Sequence, residues 1–221
     1  MIISPGRNYI FVHSPKTGGT ALSLALEARA MKDDILIGDT PKARRRKGRL
    51  RGVTARGRLW KHATLADIEG LVSETFIDTA FVVTLVRNPW DRMVSYYHWL
   101  RAQGFDHPAV HLARRLSFSA FLHHPQTRAS FAENPYEKYV TTSAGQERCS
   151  LYIRLEHFAR DVAPFEAHLG FAIDLPEANR SERRRDFQSY YAARDADCVA
   201  EICAADIARF GYGFDDDFRK L

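Results

Sequence analysis

Cysteine is scarce. The three in this chain, Cys149, Cys198 and Cys203, are too few and too scattered for a disulfide framework or a cysteine-rich metal site. The nine histidines offer no H-x-x-x-H pair with a suitable third ligand, so no structural metal is expected. No apolar run approaches the roughly 20 residues that a membrane helix needs. Tyr9–Val12 is only strand-length, and Met1–Arg7 lacks a basic start followed by a long apolar core. Neither a signal peptide nor an anchor is expected, and the expected location is cytoplasmic. Internal repeats and low-complexity segments are also missing.

Acidic residues are missing from one place in particular. Between Lys42 and Arg58 stand nine lysines and arginines and no Asp or Glu, which leaves the rest of a +5 chain at about −4. Basicity therefore belongs to one segment and not to the whole fold. What remains is an ordinary globular balance, 45% hydrophobic and 27% charged, in 221 residues. That length suits one α/β domain over residues 1–221, with enough core to need no staples.

Tyr9-Ile10-Phe11-Val12 follows a Pro-Gly turn signal and reads as a buried strand. It runs into the small-residue loop His13-Ser14-Pro15-Lys16-Thr17-Gly18-Gly19-Thr20, then into helix formers from Ala21 to Ala30. A strand, loop and helix in that order offer backbone N–H groups and a positive dipole end to an anion. Ala80–Val86 is nearly continuously apolar, the pattern of a central parallel strand covered on both faces. It ends at Arg87, and Asn88, Pro89 and Asp91 are the N-cap, N1 and N3 of a helix running to about Leu100. Ligands of open α/β sheets bind at that strand edge, so Arg87 points its charge there. Ser150–Leu155 reads as a third parallel strand, followed by helices over Phe158–Leu169 and Asp197–Phe210. Thr64 and Asp67 read as the N-cap and N3 of a further helix, with His62 just outside it. Residues 42–58 read as a basic mobile loop and 105–139 as an irregular helical region. The fold class is α/β, a doubly wound parallel sheet with an inserted helical region.

The usual phosphate loop places its lysine after the glycines; here Lys16 precedes Gly18 and Gly19. A plain ATP or GTP hydrolase is therefore disfavoured, yet the chemistry of anion binding is legible. The glycines admit close backbone approach, the Thr17 and Thr20 hydroxyls can donate, and Lys16 supplies charge. His62 is a candidate general base, since an imidazole near pKa 6.5 suits proton removal, and Lys61 could share that role.

These residues carry a resemblance. His13–Thr20 resembles the 5′-phosphosulfate loop of sulfotransferases that use 3′-phosphoadenosine 5′-phosphosulfate (PAPS), especially the carbohydrate (type 2) branch. Arg87-Asn88-Pro89-Trp90-Asp91-Arg92 with Ser95 resembles that branch's 3′-phosphate motif. Asn179-Arg180-Ser181-Glu182-Arg183 and Phe210-Gly211-Tyr212 are similar to its C-terminal signature. The resemblance implies a P-loop-like sulfotransferase fold with PAPS as co-substrate and no metal. It places Lys16 and the amides of Thr17, Gly18, Gly19 and Thr20 on the phosphosulfate, and Arg87 and Ser95 on the 3′-phosphate. Ser181 and Arg183, with Arg184 and Arg185, would add to the 3′-phosphate or adenine site. His62 matches a histidine of related enzymes and would be the base. The acceptor is expected to be a carbohydrate hydroxyl, with residues 105–139 on its side of the site.

Two other functions fit parts of this pattern. A nucleotide-binding phosphotransferase would need a Mg²⁺ carboxylate after a strand, where Arg87 stands instead. A non-catalytic polyanion-binding module would use Lys42–Arg58 alone. Nucleic acid is disfavoured as a partner, because the run lacks interleaved aromatics and helical periodicity.

Overall fold

The computed structural model describes residues 1–176, 183, 184 and 186–216, and it folds as two compact units. Met1–Val86 and Tyr136–Asn179 form the first, Arg87–Pro135 and Arg180–Leu221 the second.

The first unit is α/β. Strands β1 (Ile2–Ser4) and β2 (Tyr9–Val12) make an antiparallel hairpin pairing Ile2 with Phe11 and Ser4 with Tyr9. Its connection is a 3₁₀ turn over Pro5–Arg7, and Asn8 adopts a left-handed φ of 51° to re-enter the sheet. Helix α1 (Gly19–Ala28) follows, then the two-residue edge strand β3 (Ile35–Leu36), antiparallel to β1. Helices α2 (Pro41–Arg46) and α3 (Glu74–Thr79) precede β4 (Phe81–Val86).

The sheet order is β3-β1-β2-β4-β5, β5 being Leu151–Arg154. The three strands read from the sequence, β2, β4 and β5, are mutually parallel. Two short antiparallel strands that composition did not mark extend them on one side.

Alternation along the strands builds a core on each face. Ile3, Ile10, Val12 and Val82 join Ala63, Leu65, Ile68 and Ile77 on one side. Ile2, Tyr9, Phe11, Val83 and Leu85 join Leu22, Leu26 and Phe165 on the other. Covered on both faces, β4 has no use for polar alternation, which explains its unbroken apolar run. Its one polar residue, Thr84, is buried and donates to Val12 O at 2.9 Å.

Three local expectations are corrected in this unit. The segment read as a loop over 42–58 is helical in its first half, as α2 and a 3₁₀ turn over Lys47–Leu50. Thr40 caps it: its Oγ1 accepts from Ala43 N and donates to Glu27. Four of the basic side chains also have internal partners. Lys42 donates to Glu27 O, Arg46 to Met31 O and Asp34 O, and Arg49 to Lys32 O, while Arg56 pairs with Glu69.

The helix expected after Thr64 is a single 3₁₀ turn, Ala66–Ile68. Its reciprocal Thr64–Asp67 capping bonds do form, but Gly70 turns the chain away at φ 86°. The helix over Phe158–Leu169 is two pieces, α9 (Phe158–Asp161) and α10 (Ala163–Leu169). Pro164 in the first turn of α10 cannot supply the N–H a continuous helix needs. A one-turn helix, α8 (Tyr136–Tyr139), completes this unit.

The second unit is helical. Helix α4 (Pro89–Arg101) is followed by α5 (Pro108–Arg115), α6 (Phe118–His123) and α7 (Pro125–Ala132), then α11 (Ala193–Ile202) and α12 (Ala204–Phe210). Asn88 caps α4 as expected, accepting from Trp90 N at 3.1 Å. The single helix expected over Asp197–Phe210 is instead α11 and α12, parted at Cys203, and Gly211, at φ 66°, ends α12. Among the described residues no helix is long and apolar enough to cross a membrane.

Candidate functional site

Each unit contributes one constellation. In the first unit, β2 delivers the chain into the His13–Thr20 loop, and three hydroxyls fix it there. Thr84 Oγ1 donates to Val12 O, so in its 3.0 Å contact with Ser14 the Ser14 hydroxyl is the donor. Thr17 Oγ1 donates to Ser14 O at 2.8 Å. That contact corrects one expectation: the Thr17 hydroxyl hydrogen is directed inward and does not serve an anion.

Lys16 adopts a left-handed φ of 66°, uncommon for a residue with a Cβ. Gly18 follows at φ 84°, with Leu155 so near that a Cβ would stand 2.9 Å from it. At Gly19 an added Cβ would lie 2.1 Å from the His13 ring. Only glycine lets the imidazole and the first turn of α1 approach so closely. No side chain caps that turn, so its leading amides keep their capacity for an anion.

His62 lies beside this loop in the same unit. Its Nδ1 is 2.8 Å from His13 O. A carbonyl only accepts, so Nδ1 carries the hydrogen and Nε2 carries the lone pair. The ring meets His13 edge-on at 4.7 Å and Trp60 at 5.0 Å. Burial lowers the His62 pKa to about 4, and the buried His13 is pushed well below 6.5 by the same cause. Both rings are neutral at pH 7.

Lys61, the alternative base, forms a 2.8 Å salt bridge with Asp39. Burial works to raise the Asp39 carboxyl, but the Lys61 hydrogen bond and charge overcome it and hold it low. The Lys61 amine is thus engaged with a carboxylate.

In the second unit, Arg87 reaches Asp91 Oδ2 through Nε at 2.9 Å and Nη2 at 2.5 Å. Arg183 holds the other oxygen, Asp91 Oδ1, at 2.5 Å. One carboxylate thus draws two guanidiniums together at the first turn of α4. Ser95 is buried one turn further along the same helix face. Ser181 and Arg185 lie outside the described residues.

Sequence reasoning missed two residues in these places. Asp91 was legible as a helix-start acid, and its i,i+4 spacing from Arg87 is the signal for the pair. His13 carries no signal in spacing; its contact with His62 comes only from packing.

No family model matches the sequence. No curated protein matches it. Among solved structures, the chain is similar to mouse sulfotransferase SULT7A1, crystallised as a complex with PAP. The TM-score is 0.47 at 14% identity, covering 93% of this chain and 85% of that one. A likeness at that level says nothing about activity.

Proposed function

We propose that the chain is a PAPS-dependent sulfotransferase that transfers a sulfuryl group to an acceptor hydroxyl, expected on a carbohydrate. The observation that carries this reading is the Arg87–Asp91–Arg183 cluster beside Ser95. It is a second anion-binding construction, additional to the His13–Thr20 loop. An enzyme of ATP or GTP has one phosphate chain to hold. PAPS has two separate anionic ends, one suited to the loop and one to the cluster.

Lys16 and the amides of Thr17, Gly18, Gly19 and Thr20 take the 5′-phosphosulfate. Arg87, Ser95 and Arg183 take the 3′-phosphate, with Ser181 assigned there by sequence alone. In the reaction the acceptor oxygen forms a bond to sulfur as the bond from sulfur to the bridging oxygen breaks. The electron pair stays on the departing 5′-phosphate, where Lys16 neutralises it. His62 Nε2 takes the acceptor's proton. The chain acts as one sulfotransferase domain over residues 1–221, with 105–139 on the acceptor side and no metal in the chemistry.

Calorimetry with 3′,5′-diphosphoadenosine (PAP) and with ADP tests the reading. The 3′-phosphate contacts are charge-assisted and worth about 1.5–3 kcal/mol, so PAP binds at least about tenfold tighter than ADP. Arg87→Ala erases the difference. Equal binding of the two nucleotides by the wild type would discard the proposal in favour of a general phosphate or polyanion binder.

A further inference from the structure

His98 stands three residues beyond Ser95 and seven beyond Asp91 on α4. At 3.6 residues per turn those offsets put all three on one helix face. Its Nε2 is buried and has no hydrogen-bond partner among the described residues. Such a nitrogen costs free energy in a folded protein and calls for a reason.

Packing alone supplies none. The ring meets Tyr190 edge-on at 5.1 Å and Tyr97 at 5.5 Å, contacts that a phenyl ring would make equally well. The surroundings are cationic. Arg184 lies over the Tyr190 ring at 5.0 Å and donates its backbone N–H to the Tyr190 hydroxyl. The preceding residue is Arg183, bound to Asp91. Burial, and then the charge of Arg183, push the His98 pKa down, so the ring is neutral. A neutral imidazole keeps one N–H to donate without adding a third positive charge that the guanidiniums would repel.

We propose that His98 is a further ligand of the anion site on α4, its Nε2–H donating to an oxygen of the 3′-phosphate held by Arg87, Ser95 and Arg183. The assignment rests on the proposed function and adds to it a residue that reads the 3′-phosphate without carrying charge.

Two variants and one spectroscopic measurement test it. His98→Phe keeps the contacts with Tyr97 and Tyr190 and removes the donor; His98→Gln keeps an N–H donor. The expected result is PAP affinity about tenfold weaker in His98→Phe, ADP affinity within twofold of wild type, and most of the loss recovered in His98→Gln. In the wild-type protein, the ¹⁵N resonance of His98 Nε2 shifts when PAP is added and stays in place with ADP. This arm decides the matter if the phenylalanine variant does not fold. A folded His98→Phe that still prefers PAP as the wild type does, or an Nε2 resonance identical in the two complexes, overturns the inference and leaves the donor reading standing. A wild-type protein that does not distinguish PAP from ADP removes both.

Discussion

His62 shows how one hydrogen bond sets the chemistry of a side chain. Because Nδ1 donates to His13 O, the lone pair sits on Nε2, and burial makes that nitrogen a weak base with a pKa of about 4. What it gains is constant readiness: it is unprotonated across the physiological range. The rate constant kcat/KM is therefore expected to be flat above about pH 5 and to fall as acid protonates His62 near its pKa. His62→Ala should lower kcat by about 10²–10⁴-fold and leave the Kd for PAP unchanged, measured by sulfate transfer and calorimetry on the same preparation. Stability follows the same proton. The unfolded histidine binds it below about pH 6.5 while the folded one does not until about pH 4. Stability is thus fully present above the unfolded value and is lost as pH falls through that window. His13 is depressed in the same direction, so His62→Gln should make the urea midpoint less steep between pH 6.5 and 4 without flattening it. An unchanged slope would mean that His62 is not held neutral by its burial.

At the scale of elements, a single carboxylate ties two helices together. Ser119 and His123, one turn apart on α6, both reach Asp195 Oδ1, at 2.7 and 2.9 Å, while Ala192 N donates to Asp195 Oδ2 at the start of α11. Burial works to raise the Asp195 carboxyl, but the Ser119 and His123 bonds prevail and hold it low. Asp195→Ala removes a helix cap and two acceptor contacts at once. It should cost about 2–4 kcal/mol, read as a lower urea midpoint at unchanged m-value. The wild-type contribution is present above the usual carboxylate range and is lost as pH falls through the lowered value.

Elements of this kind differ in how far they could be read beforehand. β2, β4, β5 and α4 were legible because long apolar runs and the Asn88-Pro89 start say the same thing twice. β1 and β3 are three and two residues long, and only pairing with β2 and with each other makes them strands. α2 was hidden because its charges mask the Thr40–Pro41 start, and the buried contact of Thr40 with Glu27 depends on tertiary packing. The candidate site divides in the same way. Lys16, Gly18, Gly19 and Arg87 stand where strands end and are visible in the chain order. Asp91 as a bridge, His13 as the carbonyl under His62, and His98 with its buried nitrogen depend on partners distant in sequence or on burial, which spacing does not record.

For the molecule as a whole, the question is what a +5 chain does with charge concentrated in one segment. The structure divides that segment's cations by role. Lys42, Arg46, Arg49 and Arg56 hold the segment to its own unit, and Arg58 lies 5.4 Å from the Trp60 ring centroid. Arg44, Arg45, Lys47 and Arg51 are exposed, and charges so placed act through the field they project into solvent and not through fixed contacts. PAP carries several negative charges, so the field should speed its arrival and affect its departure little. That effect reaches only about 10 Å at 0.1 M salt. Replacing Arg44, Arg45, Lys47 and Arg51 together by Gln should therefore slow PAP association severalfold at low ionic strength, with the difference from wild type vanishing near 1 M salt. The dissociation rate and the melting temperature should both stay where they were. Stopped-flow binding at two salt concentrations makes the comparison. A faster dissociation that persisted at high salt would instead assign these side chains direct contacts with the nucleotide, as expected of a lid closing over it.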